Sequence, residues 1–344
     1  MHIIIISVWK KEGDYLLSER QNKLLKLIVE EYIKTASPVG SKMLIDELNC
    51  SSATIRNDMA KLEDLGYLEK THTSSGRVPS EMGYRYYVDN LMKPKEMTGE
   101  DVLKLQRIFD NKQLALSDII TKSLEIISEI TNCTSLALGS DSSYNTLKQV
   151  EVVPLSNNRL IAIVITDKGH VENKELKVDG DINLTEIKKV VELINKLLVG
   201  TPLDEVSSKL EFEIKPIIAN YVRSHEALYQ AFYNAFNEFS FKSNMHMAGR
   251  TKLLDYQEFD SVSKVKQLLN KFDDYDLVKK IEADNNDINV YIGHENNFDE
   301  NVSVIKTKYN INGEEGTIAI VGPKRMDYEK VVSLLEYLKD NIER

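Results

Sequence analysis

The stretch Leu48-Asn-Cys-Ser-Ser-Ala-Thr-Ile-Arg-Asn-Asp-Met-Ala-Lys-Leu-Glu-Asp-Leu-Gly-Tyr67, followed by Leu68-Glu-Lys-Thr71 and His72-Thr-Ser-Ser-Gly-Arg77, decides the reading of this chain. Asn49-Cys50 breaks one helix, and Ser51 or Ser52 caps the next, which runs to Leu65 before a left-handed stop at Gly66. Ile55, Met59, Leu62 and Leu65 recur at helical spacing and form one narrow core stripe. Ala53, Arg56, Asn57, Ala60 and Lys61 project from the opposite side. Such a face suits the DNA major groove. Its small residues permit close approach, an arginine can fork onto guanine, and an asparagine can fork onto adenine. The helix N-terminus adds backbone N–H groups for a phosphate, so its first two turns are expected to face DNA.

The flanks make this helix part of a winged helix. Upstream, Ser18-Glu-Arg-Gln21 has capping-box form, and Leu24, Leu25, Ile28 and Tyr32 continue a helix over about 18–35. Ser37-Pro38 reads as the start of a short second helix with Leu44 and Leu48 on its buried face. Downstream, Tyr67–Thr71 reads as a strand, His72–Gly76 as a turn and Arg77-Val-Pro79 as the returning strand. The candidate DNA contacts are Ser51, Ser52, Ala53, Thr54, Arg56, Asn57 and Lys61 on the helix, with His72, Thr73, Ser75 and Arg77 on the wing. Arg85 joins them from a further short helix, Ser80–Leu91, whose packing stripe is Tyr84, Tyr87 and Leu91. Winged helices also serve protein contacts, so the head by itself admits both uses. Residues 93–100 read as a linker closing a head of 16–92.

Beyond the linker the texture changes twice. Residues 101–131 carry a long amphipathic pattern, and Ser135–Leu138 a short strand. Gln149–Leu155, Arg159–Thr166 and His170–Val178 form an antiparallel meander whose middle run is apolar on both faces, so cover is expected on both sides. Helices follow at Leu184–Leu198, about Leu203–Leu210 and Ile217–Phe241. On the last, Tyr221, Leu228, Phe232, Phe236 and Phe239 share one face, which fits either the chain's own core or a dimer seam. From about His246 helices at Val262–Asn270 and Asp274–Ala283 alternate with strands at Asn289–Ile292, Val302–Tyr309 and Gly316–Val321. A tight turn at Ile311-Asn-Gly313 and a closing helix capped by Asp327 complete the chain. Residues 101–145 and 246–344 therefore form one αβ domain interrupted by 146–245.

Composition narrows the function. The 344 residues carry 44 Lys+Arg against 54 Asp+Glu, a formal charge of −10, which argues against non-specific coating of nucleic acid. Residues 15–95 hold 12 basic and 11 acidic residues, so a near-neutral head sits on an acidic remainder. Cys50 and Cys133 stand far apart and the six histidines are scattered, giving no metal-ligand spacing and no expected cofactor. No apolar run of membrane-spanning length occurs, so a cytoplasmic protein is expected. No Ser/His/Asp, Cys/His or paired-carboxylate spacing suggests an enzyme, and no phosphate-binding glycine pattern occurs. Residues 1–15, with His2-Ile-Ile-Ile-Ile-Ser-Val-Trp9, read as an extension outside the first domain.

Several strings resemble the HrcA family of bacterial heat-inducible transcription repressors. They are Val39-Gly-Ser41, Ser51–Met59, Leu62–Leu68, His72–Arg77 and Gly83-Tyr-Arg-Tyr-Tyr-Val88 in the head, with Val290–Glu295 and Gly316–Tyr328 near the C-terminus. The resemblance covers about residues 16–344. It implies an α+β multidomain protein with a winged helix, a GAF-like αβ domain, and a dimerisation domain of a three-stranded antiparallel sheet and helices inserted into it. It further implies a homodimer on an inverted-repeat operator upstream of chaperone genes, kept active by a GroEL-type chaperonin, and it favours the seam for the aromatic face. The alternative is a winged-helix regulator whose GAF-like domain senses a small molecule.

Overall fold

Ser18 and Gln21 close the capping box that starts the first helix. The Gln21 backbone N–H donates to Ser18 Oγ at 3.3 Å, and the Ser18 N–H donates to Gln21 Oε1 at 3.0 Å. In the computed structural model the helix α1 spans Glu19–Thr35, buries Leu24, Leu25, Ile28 and Val29, and ends at Ala36 in the left-handed region. The structure describes residues 17–71, 76–111, 116–139, 146–156, 159–167, 171–177, 184–221, 226, 229–230, 232–234, 236, 245–283, 285–311 and 314–343.

The second helix starts later than its proline suggested. Val39 pairs with Arg77 as an antiparallel bridge, through Val39 N–H to Arg77 O at 2.9 Å and the reverse bond at 3.0 Å. Pro38 therefore lies in an extended run, which its fixed φ permits as readily as a helical first turn. The helix α2 begins as a 3-10 turn, Ser41–Leu44, and continues through Ile45–Leu48. The helix α3 spans Ser52–Asp64 behind an Ser51 cap, and Gly66 supplies the left-handed stop at φ +83°. Strands β1 (Leu68–Lys70) and β2 (Arg77–Pro79) pair antiparallel as the wing. The helix α4, Glu81–Tyr86, runs into a π-type turn, Tyr87–Leu91. It crosses so close to the start of the wing that a Cβ on Gly83 would lie 2.1 Å from the Tyr67 carbonyl oxygen.

The expected linker is strapped down. Lys93 N–H donates to Glu329 Oε1 at 3.1 Å, Lys95 Nζ sits 3.0 Å from Asp327, and Met97 packs on the core. Thr98 then caps α5 (Gly99–Phe109), and α6 (Leu116–Thr131) is a second helix rather than a continuation. The sheet of this unit has the order β7-β3-β10-β9-β8, with β3 Thr134–Gly139, β7 Met245–Ala248, β8 Asn289–Ile292, β9 Val302–Ile311 and β10 Glu314–Pro323. β7 was not legible, since four residues of mixed polarity carry no alternation. Ile311 and Glu314 pair across the hairpin, whose turn lies outside the described residues. The closing helix Tyr328–Ile342 starts at the Asp327 cap and packs on β9 and α6. Head and body share one apolar core in which Tyr84, Tyr87 and Val88 join Tyr328, Val331 and Val332.

Gly139–Met245 forms the other compact unit. Strands β4 (Leu147–Ser156), β5 (Arg159–Thr166) and β6 (Val171–Lys177) make the antiparallel meander. The helices α7 (Leu184–Leu198), α8 (Leu203–Lys209) and α9 (Lys215–Tyr221) follow, with a π-type turn, Leu210–Ile214, between the last two. The Asn195 amide fixes α7 to β4 by bonding both the N–H and the carbonyl of Val150, at 2.7 and 2.8 Å. Among the described residues of the middle strand, one face is fully covered. Leu160, Ala162 and Val164 are buried, whereas Ile161, Ile163 and Ile165 on the other face are half-exposed. The expectation of cover on both faces thus fails for the outer face within one chain.

Candidate nucleic-acid interface

The face of α3 is set by what anchors its back. Ile55, Met59 and Leu62 are buried, and Leu65 is half-buried. Asp58 shares that stripe and is 3% exposed. Arg20 of α1 reaches its carboxylate, Nε to Oδ2 at 2.6 Å and Nη2 to Oδ1 at 3.3 Å. This pair fixes the rotation of α3 about its axis, because a buried carboxylate without its partner is costly. The sequence held a signal for it, namely an acid within the apolar stripe.

The outer face is therefore turned to solvent. Ser51, Ala53, Arg56, Asn57, Ala60 and Lys61 are exposed, and Ser52 and Thr54 are half-exposed. Ser51 Oγ caps the helix by accepting from the Thr54 N–H at 3.2 Å, and the two hydroxyls lie 2.9 Å apart. Arg56 donates from Nε to Ser41 Oγ at 3.3 Å, and Ser41 Oγ is 2.8 Å from Ser52 Oγ. Helical projection of α3 could not select Ser41, because it lies on the second helix.

Two arginines point elsewhere than expected. Arg77 folds back onto Glu63, Nε to Oε2 at 2.7 Å, and braces the wing against α3. It partly neutralises Glu63, whose charge would otherwise repel phosphate at the far end of the helix. Arg85 faces the body, where it pairs with Glu295 and Asp89 and donates to the Val290 carbonyl. Burial pulls the Arg85 pKa down, but the bonds from Glu295 and Asp89 outweigh it, so the net shift is upward. Arg85 is thus a head-to-body tie, and its reading as a DNA contact is corrected: its position was legible, its direction was not. His72, Thr73 and Ser75 lie outside the described residues.

Two residues of the aromatic face also lie elsewhere than a seam would put them. Phe232 and Phe236 are each 1% exposed and sit in the core of their own unit with Ile187, Val190, Ile194 and Leu210. Side chains buried so fully in one chain have almost no surface left for a second. The side chain of Tyr221, and all of Leu228 and Phe239, lie outside the described residues. No described helix is long and apolar enough to cross a membrane.

Comparison with known proteins agrees with this anatomy. Residues 20–85 match the model of an HTH domain, and residues 117–332 match that of the HrcA protein C terminal domain. A heat-inducible transcription repressor HrcA of Bacillus pumilus (strain SAFR-032) is 37% identical over 333 residues, covering 95% of this chain and 97% of the relative. The repressor of the same name from Lysinibacillus sphaericus is 39% identical over 330 residues, covering 94% and 96%. A crystal structure described only as that of a hypothetical protein superposes with a TM-score of 0.64 at 25% identity, covering 95% of this chain and 98% of that one.

Proposed function

This chain belongs to the HrcA family of heat-inducible transcription repressors, and on that premise we propose that it binds an inverted-repeat operator as a homodimer. One α3 enters the major groove of each half-site. Arg56 and Asn57 read base edges, while Ser51, Ser52, Thr54 and Lys61 hold the phosphate backbone. The observation that carries the reading is the outward face of α3, small and cationic, held in place by the half-exposed Arg20 reaching the buried Asp58 carboxylate. Arg77 supports the wing, and His72, Thr73 and Ser75 complete its contact with the backbone.

The dimer is supported by the outer face of the inserted sheet. On this face Ile161, Ile163 and Ile165 of the middle strand are joined by Val153 and Val171, 45% and 59% exposed, with Gln149, Glu151, Asn173 and Glu175 as their polar cross-strand neighbours. A two-fold contact sets such a face against itself, and the Arg159–Glu175 pair at its edge supplies a polar rim. This face replaces Phe232 and Phe236 as the seam. We further propose a GroEL-type chaperonin, which the resemblance to the family implies, as the partner that keeps the repressor active. Gel shift on an inverted-repeat operator, with and without chaperonin, tests the whole. Binding indifferent to both operator sequence and chaperonin overturns it.

A further inference from the structure

We propose that Ser41, which does not reach the outer face itself, is a positioning residue that aims Arg56 at its base pair. The inference rests on the reading of Arg56 as a base-reading arginine. Ser41 lies on the short second helix and is 7% exposed, whereas Arg56 is exposed. Its hydroxyl accepts from Arg56 Nε at 3.3 Å and is hydrogen-bonded to Ser52 Oγ at 2.8 Å. The hydroxyl thus joins α2, the first turn of α3 and the arginine. Ser52 fixes where the oxygen lies, and the oxygen fixes the plane of the guanidinium.

The consequence follows from the shape of the arginine. A guanidinium offers five N–H groups in one rigid plane. With Nε–H given to Ser41, the edge left for a base is the fork of Nη1 and Nη2. That edge matches the O6 and N7 acceptors of guanine. An exposed arginine without such a tie samples many rotamers and loses that freedom on binding. Ser41 makes part of the ordering before DNA arrives, and it selects which edge of the side chain is presented. Asn57 has no comparable hydrogen bond among the described residues, so the tie belongs to the arginine and is not a general property of the face.

The test uses the full-length protein and compares binding to the operator with binding to single-base-pair variants of it. Ser41→Ala is expected to weaken operator binding about fivefold, as loss of one modest hydrogen bond would. The loss should fall at the base pair whose discrimination Arg56→Ala also abolishes, with affinity for unrelated DNA unchanged. Ser41→Thr keeps the hydroxyl and should retain discrimination, and Ser41→Ala in the Arg56→Ala background should add nothing. A Ser41→Ala protein that discriminates normally while Arg56→Ala does not overturns the positioning role alone. So does a Ser41→Ala loss spread evenly over all sequences and additive with Arg56→Ala, which would mark Ser41 as merely structural. If Arg56→Ala itself leaves discrimination intact, the base-reading assignment fails, and the role of Ser41 fails with it.

Discussion

At the residue scale the head depends on a few side chains whose directions matter more than their identities. Arg56→Ala should lose about 1–3 kcal/mol of operator affinity and relax specificity at one base pair, as read by competition with single-position variants. Lys61→Ala should instead weaken binding to all sequences alike and reduce the salt slope by about one, because a phosphate contact carries no base information. Behind the face, Arg20→Ala strands the buried Asp58 carboxylate and should lower the melting temperature, and adding Asp58→Asn should recover part of the loss. A double substitution no more stable than Arg20→Ala would contradict that account. The residues of the reading face were legible from helical projection, since Ile55, Met59 and Leu62 leave only one side free. The directions of Arg77 and Arg85 were not. A long cationic side chain near a DNA-binding face can equally fold onto an acid, and Glu63 and Glu295 come near only in three dimensions.

At the scale of elements, capping chemistry proved readable where it is local. Ser18 with Gln21, Ser51 before α3 and Asp327 before the last helix all act as caps, because the partner is three residues away. The Ser37-Pro38 start failed because Val39 is claimed by Arg77, a partner 38 positions on. Gly83 shows a further constraint of this kind. Gly83→Ala drives a methyl into the Tyr67 carbonyl and should cost about 1–3 kcal/mol or more in a urea titration. The aromatic helix illustrates why a seam cannot be told from a core by pattern: both bury large rings, and it is the burial of Phe232 and Phe236 in one cluster with Ile187, Val190, Ile194 and Leu210 that favours the core for these two. With the seam on the sheet, Ile163→Asp should weaken the dimer at least about tenfold, near 1.4 kcal/mol, in sedimentation at falling concentration. Phe212→Asp, on an exposed side chain elsewhere in the same unit, should leave it unchanged.

At the scale of the molecule, the head is not a bead on a tether. Glu81 of α4 bonds Lys324 at 2.8 Å and His294 at 3.0 Å, and Arg85 closes the same contact with Glu295. His294 lies between two carboxylates, Glu81 at Nδ1 and Glu300 at Nε2, and satisfies both only as the cation. The hydrogen bond and charge of Glu81 raise its pKa above the usual 6.5. Burial pushes Glu81 up, yet the bonds from Lys324 and His294 outweigh this and leave it below its usual 4.5. The contribution of a raised histidine is complete below pH 6.5 and is lost as pH rises through its folded value. That of a depressed carboxylate is present above 4.5 and is lost as pH falls through its folded value. The tie is therefore fullest between pH 4.5 and 6.5. Amide exchange in α4, at matched intrinsic rates, should quicken on raising the pH past the His294 titration, and His294→Gln should remove that step while Lys324 keeps part of the tie. An α4 exchange rate indifferent to the protonation of His294 would contradict it.

On the proposed function, two copies of the chain read an inverted repeat through α3. The most direct measurement is a pair of binding isotherms for the wild-type protein, on an intact inverted repeat and on the same DNA with one half-site scrambled, repeated with Arg56→Ala. Much tighter binding of the intact repeat by the wild-type protein is expected, and collapse of that preference in the variant. Equal affinity for the two DNAs, or a variant isotherm that overlays the wild type, would contradict the proposed function.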